Sequence, residues 1–328
     1  MTQTQTPAPS ASRATGQQTR LAFGMAVLDL AVSDQRIVAL SADTQDLIPT
    51  RAFKERYPER FVEVGIAEQN IIGVAAGLAT AGLKPVACGY APFLTARSME
   101  QVRNDVAYAN LPVIIGAAAS GISLGVSGGT HHALEDLALM RSLPHMTVLV
   151  PADGDEAYAA VRAALALDGP AYVRLGGRTD EPAVSTPGAP FEIGRAVELH
   201  PGTDVCVIAC GALVAPALQA ARTLEGEGIG VRVLNMHTIK PLDTAAVLRA
   251  AAETGGIVTA EEHHLSGGLG GAIAELLAQE RPTRMRLVGM PDEFAEIGPT
   301  GPLRARYGMS AEAIVAACRS LLGQGRAA

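Results

Sequence analysis

The stretch RFVEVGIAEQNIIGVAAGL, residues 60–78, places a short strand directly before a helix. The β-branched and aromatic residues ahead of Gly65 favour a strand, whereas the glycine- and alanine-rich run after it favours a closely packed helix. Glu63 falls in the predicted strand and Glu68 at the predicted helix start. A carboxylate in the first turn of a helix commonly does no more than interact with the positive end of the helix dipole. Glu68 by itself therefore indicates a helix terminus and no particular activity.

The same alternation of strand and helix extends to both sides of this stretch. Predicted strands lie at 37–41, 85–90, 112–118, 147–151 and 171–175, and predicted helices at 69–81, 99–109, 134–143 and 155–167. Such alternation is typical of an α/β domain with a mainly parallel sheet and helices on both faces. We predict that this domain spans residues 19–178.

A second α/β domain follows a break in the pattern. Residues 179–190 contain three prolines among small residues, which is typical of a linker. Beyond them a smaller alternation predicts a second domain over residues 191–325. The first 18 residues are polar and have no apolar segment, so we expect a disordered tail.

Composition excludes several classes of function. The 328 residues are 48% hydrophobic and 18% charged with a net charge of -7, which disfavours binding to nucleic acid or to an anionic membrane surface. No apolar run approaches the length of roughly 20 residues that a membrane span needs, and we expect a cytoplasmic protein. The four cysteines show no disulfide or metal spacing, so we predict buried, reduced thiols.

Several motifs, in a shared order, resemble the transketolase family of thiamine-diphosphate enzymes. The run VGIAEQN at 64–70, followed by AAGLA, is especially similar to split transketolases and to the second half of 1-deoxy-xylulose-5-phosphate synthase. The other matching segments are SAD (41–43), YAPFL (90–94), RNDVA (103–107), GTHHALEDLALMRSLPHMTVLVPAD (129–153), YVRLGGR (172–178), NMHTIKPLD (235–243), EEHHLSGGLGG (261–271) and FAEIGPTGPLRARYGMS (294–310). The resemblance covers nearly the whole chain after residue 19. It implies a pyrimidine-binding domain followed by a transketolase C-terminal domain.

The resemblance implies roles for particular residues. In the family, a glutamate at the position of Glu68 hydrogen-bonds the aminopyrimidine of thiamine diphosphate, so that the thiazolium C2 can lose its proton. Ile66 and Phe93 match positions that contact the cofactor, and His131 matches a histidine beside the reacting carbons, where it can donate hydrogen bonds or transfer protons. Residues matching or neighbouring donor-sugar positions are Arg20, Ser41, Tyr90, Ser127, His131, Arg174 and Arg178.

A partner subunit is implied by what the sequence lacks. Family enzymes hold the diphosphate through a divalent ion such as Mg2+, bound by a Gly-Asp-Gly stretch and a later asparagine segment, and this chain has no such pair. We therefore expect no metal ligands here, a separate N-terminal subunit that carries the metal, and an α2β2 assembly. His263 and His264 beside two glutamates invite a metal interpretation, but the matching family segment is a turn and helix start. Two alternatives are the β subunit of a 2-oxo-acid dehydrogenase E1 component and a non-catalytic partner-binding homologue.

Two departures from the family concern the donor. Ala119 stands where transketolases usually carry a phosphate-contacting histidine, and Ser127 replaces an aspartate that hydrogen-bonds a donor hydroxyl. Losing one cation and one anion predicts a donor other than the ordinary pentose and hexose phosphates, such as a branched sugar phosphate or a sulfonated sugar. The alternative is that Arg20, Arg174 or Arg178 takes over the contact and the donor is xylulose 5-phosphate.

Overall fold

The computed structural model describes residues 18–178 and 181–323, which form two α/β domains. The strands of the first sheet are β1 (Ile37–Ser41), β2 (Phe61–Glu63), β3 (Lys84–Tyr90), β4 (Ile114–Ala118), β5 (Thr147–Leu149), β6 (Ala171–Arg174) and β10 (Thr238–Lys240). Their order across the sheet is β10, β5, β6, β4, β3, β1, β2. Every pair is parallel except β5 with β10. The predicted mainly parallel sheet is confirmed.

Helices cover both faces of this sheet, as the sequence predicts. They are α1 (Thr19–Leu30), α2 (Arg51–Arg56), α3 (Glu68–Thr80), α4 (Met99–Gln101), α5 (Asp136–Ser142) and α6 (Gly154–Ala164), and π-helical segments Phe93–Arg97 and Val102–Tyr108 flank α4. Successive residues of a strand point to opposite faces. Ala39 of β1 accordingly packs in the apolar cluster that contains α1 and α6, whereas Leu40 packs in the cluster that contains α3 and α5.

The second sheet has five strands in the described part of the chain. They are β7 (Val197–His200), β8 (Val205–Ala209), β9 (Val231–Asn235), β11 (Ile257–His264) and β12 (Met285–Met290), in the order β12, β11, β8, β9, β7, and only β7 is antiparallel to its neighbour. The helices of this domain are α7 (Val214–Glu225), α8 (Thr244–Glu253), α9 (Leu269–Glu280), α10 (Thr300–Arg306) and α11 (Ala311–Gly323).

The two domains share structure that the sequence did not predict. Strand β10 comes from the second half of the chain but pairs with β5 of the first sheet. Residues 181–196 contain no helix or strand, yet the carboxylate of Asp153 accepts the backbone N–H groups of Val184 at 2.8 Å and Ser185 at 2.7 Å. The segment after the predicted linker start is therefore held against the first domain. Residues 1–17 of the predicted tail, 179 and 180 of the predicted linker and 324 and 325 of the predicted second domain lie outside the described residues.

All four cysteines are buried and unpaired, which confirms the expectation of reduced thiols. Burial raises the pKa of the Cys88 thiol to about 12, so this group stays protonated at neutral pH. Among the described residues, no helix combines the length and apolar character needed to cross a bilayer.

Candidate active site

The carboxyl ends of β1, β2 and β3 meet at one edge of the first sheet. In the register of the strands, Ser41 lies beside Glu63 on one side and beside Cys88 on the other. Ligands of open parallel sheets bind in the crevice outside the carboxyl ends of the strands. Tyr90 is the last residue of β3, and Glu68 follows the end of β2 by five residues, so the fold brings both to the edge where a ligand is expected.

Glu68 is the first residue of α3 and its side chain is 4% exposed. Its Oε2 accepts a hydrogen bond from Nη1 of Arg97 at 2.8 Å. No further bond of this carboxylate is found among residues 18–178 and 181–323. A buried carboxylate is costly unless it is paired, and here one oxygen is paired while the other has no hydrogen-bond partner among the described residues.

Arg97 was missed by the sequence analysis. Its guanidinium carbon lies 4.0 Å from the centroid of the Phe93 ring, so it joins Glu68 to the aromatic residues through an ion pair and a cation–π contact. Phe93 and Arg97 are the first and last residues of a π-helical turn. Such turns are rare and occur frequently at functional sites. The spacing of four residues would have suggested contact only if residues 93–97 had been recognised as helical.

Three rings form a cluster beside this ion pair. The centroids of Phe93 and His131 are 5.2 Å apart, those of Tyr90 and His131 are 5.6 Å apart, and those of Tyr90 and Phe93 are 5.7 Å apart. All three contacts are edge-on, the geometry that the ring quadrupoles favour. Nδ1 of His131 is 3.1 Å from the hydroxyl of Thr130. The structure therefore brings Glu68, Tyr90, Phe93 and His131 to one place, and their roles in a site stay a prediction.

Glu63 and Ser41 organise the backbone at the same edge. Oε1 of Glu63 accepts the N–H groups of Asp43 at 2.8 Å and Gly65 at 2.9 Å, and the hydroxyl of Ser41 accepts the N–H of Thr44 at 3.0 Å. Partial burial by itself would raise the pKa of Glu63, but these backbone hydrogen bonds, together with hydrogen bonds from Ser41 and Gln45, lower the pKa. Ser41 is fully buried, so it is placed to hold this edge from within.

We define the substrate loop as residues 119–133, which lie between β4 and α5. Ser127 and Thr130 are exposed in it, whereas Ala119 is fully buried with a φ of 59°. His132 is also buried. Its burial lowers the pKa of its imidazole. Outside this loop, Ile66 is 77% exposed two residues before Glu68, and Arg178 is exposed where the first domain ends.

Arg20 and Arg174 are not in the exposed cluster. Arg174 is bound by Asp136 through both of its carboxylate oxygens, at 2.7 and 3.0 Å, and it also donates to the backbone oxygen of Glu262. Arg20 donates to the backbone oxygens of Gly177 at 2.9 Å and Leu47 at 2.6 Å. Both side chains are buried. Guanidinium groups bonded in this way hold the fold together, and a donor contact through the nitrogens that form these bonds would require them to leave these partners.

The histidine pair in the second domain is also structural. His263 is fully buried, its Nε2 accepts the N–H of Ala138 at 3.3 Å, and its Nδ1 faces the backbone oxygen of His264 at 2.8 Å. Within the described residues, no group of three or more His, Cys, Asp or Glu side chains is placed to hold a metal ion.

A cavity of about 540 Å³ lies elsewhere, between α6, residues 183–191 and β7. Its lining includes Arg162 and Arg222 but also Asp155 and Glu156, so its charges are mixed. None of the predicted site residues lines it. The open cluster around Glu68 is the better candidate because it combines a buried, incompletely bonded carboxylate with accessible rings.

Comparison with known proteins shows the family of the chain. Residues 15–178 match the pyrimidine-binding domain of transketolase, and residues 194–314 match the transketolase C-terminal domain. The chain is 44% identical to a 6-deoxy-6-sulfo-D-fructose transketolase subunit of Clostridium sp. (strain MSTE9), covering 90% of this chain and 91% of that one. It is 39% identical to an apulose-4-phosphate transketolase subunit of Phocaeicola vulgatus, covering 92% and 96%.

A solved structure extends the comparison to three dimensions. It is described as a split gene transketolase in the form of an inactive beta4 tetramer. It superposes with a TM-score of 0.88 at 44% sequence identity, covering 94% of this chain and 99% of that one.

Proposed function

The chain belongs to the transketolase family as a C-terminal subunit of the split type, and we propose that it transfers a two-carbon ketol unit from an anionic ketose to an aldose when an N-terminal subunit completes the site. The similar proteins are transketolase subunits, which favours this reaction over that of a 2-oxo-acid dehydrogenase. The family implies thiamine diphosphate as the cofactor.

The observation that carries the proposal is the carboxylate of Glu68. It is buried at the start of α3, paired on one oxygen by Arg97 and adjacent, through Arg97, to the ring of Phe93. A heteroaromatic ring with a nitrogen at its edge fits this combination, because the carboxylate can share a proton with the nitrogen while the aromatic side chains contact the ring. These residues fit the aminopyrimidine part of thiamine diphosphate.

The proposal assigns each residue of the cluster a task. Glu68 holds a proton at the edge of the pyrimidine, and Phe93 and Ile66 offer it apolar contact. His131, held beside Tyr90 and Phe93, donates hydrogen bonds to the oxygen atoms of the ketose and can transfer a proton near neutral pH. When bound, thiamine diphosphate supplies the carbon nucleophile that takes up the two-carbon unit.

The diphosphate and its Mg2+ are assigned to the N-terminal subunit, in an α2β2 complex. The sequence resemblance supports this assignment, because the family's metal motif precedes the pyrimidine-binding domain and is absent from this chain. A similar protein that consists of the corresponding subunit alone is described as inactive.

Reconstitution tests the proposal directly. The purified chain should show no ketol transfer and should bind thiamine diphosphate weakly, whereas mixing with its N-terminal partner and Mg2+ should produce activity. Sedimentation of the mixture should show equal numbers of the two chains. Ketol transfer by this chain alone, with no co-purifying subunit, would contradict the proposal.

The donor is proposed to carry a branched carbon skeleton or a sulfonate. The departures at Ala119 and Ser127 support this, and two similar proteins are named for 6-deoxy-6-sulfo-D-fructose and apulose 4-phosphate. Arg178 is exposed and is available to an anionic group. Because a hydrogen bond to a charged group is worth roughly 1.5–3 kcal/mol, loss of such contacts should weaken an ordinary donor by about tenfold or more.

Comparing kcat/KM for four ketoses tests the donor: xylulose 5-phosphate, fructose 6-phosphate, 6-deoxy-6-sulfo-D-fructose and apulose 4-phosphate. We expect one of the last two to be preferred by about tenfold or more. Ser127→Asp, which restores the family's carboxylate, should reduce the ratio of kcat/KM between the preferred donor and xylulose 5-phosphate. A clear preference of the unmodified complex for xylulose 5-phosphate would refute the assignment of the donor and leave the reaction class intact.

A further inference from the structure

We propose that the second domain positions the substrate loop, through Glu262 and the turn at residues 297–300, and thereby sets how tightly the ketose donor binds. The proposal rests on the function proposed above. It gives Glu262 and Gly125 positioning roles, since neither belongs to the exposed cluster around Glu68.

The base of the substrate loop is fixed by the first domain. Gly121 and Ala133 exchange two backbone hydrogen bonds of 2.8 and 2.9 Å, which bring the two ends of the loop together. The hydroxyl of Ser120 donates to the backbone oxygen of Leu175 at 2.7 Å. These contacts fix where the loop starts and ends, but the section that presents Ser127 lies beyond them.

The first half of the loop contacts Glu262 at the carboxyl end of β11. Oε1 of Glu262 accepts the N–H of Ile122 at 3.3 Å. Gly121 has a φ of 59°, and a Cβ there would lie 2.5 Å from the Glu262 side chain, so only glycine allows this approach. The Glu262 side chain is 3% exposed. Because the Glu262 side chain is buried against the loop backbone, its position determines where residues 121 and 122 can lie.

Glu262 is itself fixed by Arg304 of α10. Nε of Arg304 donates to Oε1 of Glu262 at 2.8 Å and Nη2 to Oε2 at 3.1 Å, and Nη2 also contacts Glu181 at 3.0 Å. A guanidinium bound through two parallel hydrogen bonds holds a carboxylate in one orientation. The carboxylate that contacts the loop is therefore rigid.

Residues 122–125 of the loop are also held by the turn at residues 297–300. The N–H of Gly298 donates to the backbone oxygen of Gly125 at 3.2 Å, and the hydroxyl of Thr300 donates to the backbone oxygen of Ile122 at 3.2 Å. A Cβ on Gly125 would lie 2.4 Å from the backbone oxygen of Gly298. The turn thus packs directly before Ser127, the residue that departs from the family's donor contact.

Two substitutions test the proposal by different routes in the assembled complex. Glu262→Gln removes the charge that Arg304 orients, and Gly125→Ala forces the 297–300 turn away without changing any charge. Because displacements of about 1 Å at a site can cost up to a hundredfold, we expect KM for the donor to rise about fivefold or more. The acceptor KM and the rate of proton exchange at C2 of the cofactor should change less than about twofold.

Matched controls are available in the same domain. Gly301→Ala adds a Cβ one residue after the turn, where no atom lies within 4 Å. Glu253→Gln removes the carboxylate of the Arg232–Glu253 ion pair, which is away from the loop. Both should leave the donor KM unchanged. The donors are the four ketoses used above.

Amide hydrogen exchange of residues 121–128 provides a second measurement that does not depend on the reaction. Exchange there should become faster in Glu262→Gln and Gly125→Ala and remain unchanged in the controls. Unchanged exchange, or a donor KM within about twofold of the unmodified complex in a folded variant, would overturn the proposal. If the unmodified complex transfers no ketol unit from any ketose, the proposed function fails, and the exchange measurement still decides whether the loop is held by the second domain.

Discussion

The carboxyl ends of the two parallel sheets both carry charged residues, but the two edges differ in how they are covered. At the edge of the first sheet, Tyr90, Phe93 and His131 remain partly exposed beside Glu68. At the end of β11 in the second sheet, Glu261 and His263 are almost fully buried. Both oxygens of Glu261 are occupied, by the N–H groups of Leu269 at 2.7 Å and Gly270 at 2.8 Å.

The difference separates the charges proposed to contact a ligand from the charges that join the two domains. At the second edge, the backbone oxygen of Glu262 accepts Arg174 of the first domain, and His263 accepts the N–H of Ala138. Every such group has a partner within the chain. Glu68, by contrast, has a hydrogen bond on only one of its two carboxylate oxygens among the described residues. The same topological position therefore carries the proposed binding site in one domain and contacts between the domains in the other.

The largest expected effect is on the joint between the domains. Burial opposes ionisation of Asp136, but Arg174, with smaller contributions from His263 and Tyr172, keeps its pKa low. Asp136→Asn therefore leaves the buried guanidinium of Arg174 without its counter-charge. Breaking a buried ion pair typically costs about 3–5 kcal/mol. Urea unfolding should show a loss of this size. Glu227→Gln, which breaks the exposed pair with Arg319, should leave the urea midpoint nearly unchanged, and equal effects of the two variants would contradict the distinction.

The next effect concerns Glu156, which faces the second domain. Its Oε1 accepts Nδ2 of Asn235 at 2.5 Å, and burial raises its pKa to about 7. A carboxyl group whose folded pKa exceeds its unfolded value of 4.5 stabilises the fold fully only below pH 4.5. Stability should therefore fall between pH 4.5 and pH 7 and level off above. Since one pKa unit is worth about 1.4 kcal/mol, the loss reaches about 3 kcal/mol.

The variant Glu156→Gln tests whether ionisation of Glu156 causes this loss of stability. The amide stays neutral, and it can donate to Oδ1 of Asn235, which has no hydrogen-bond partner in the described structure. The variant should be more stable than the unmodified chain at pH 8 and nearly equal to it at pH 4.5. Thermal unfolding at the two pH values checks this, and a parallel loss of stability in both proteins would remove Glu156 as the cause.

The smallest effect is at the exposed edge. Arg97 is 46% exposed, so its bond to Glu68 should be worth the lower end of the range for charged hydrogen bonds, about 1.5 kcal/mol. Arg97→Ala should slow proton exchange at C2 of the cofactor by about tenfold. Arg97→Lys keeps the charge but loses the planar group over Phe93, and it should retain most of the rate. Equal rates in Arg97→Ala and the unmodified complex would exclude Arg97 from orienting Glu68.

Local pattern was sufficient to predict most of the fold. The strand and helix on either side of Gly65 appear where the sequence indicates, because periodicity and composition act over a few residues. Strand β10 was not predicted, since its partner β5 is about 90 residues earlier in the chain. Its pairing is decided by how the domains pack.

In the candidate site, too, some residues could be predicted from the sequence and others could not. Family motifs pointed to Glu68, Phe93 and His131, and the fold brings them together. Arg97 depends on a π-helical turn, which has no simple sequence pattern. The sequence could not distinguish Arg174 from an exposed arginine, because the partner that buries it, Asp136, belongs to another element.

The central claim is that Glu68 activates the cofactor, and hydrogen–deuterium exchange at C2 of thiamine diphosphate tests it most directly. In the complex assembled with Glu68→Gln, which keeps the shape of the side chain but cannot share the proton, exchange should slow by about a hundredfold or more. Subunit assembly and thermal stability should be retained. Unchanged C2 exchange in a folded, assembled Glu68→Gln complex would contradict the account.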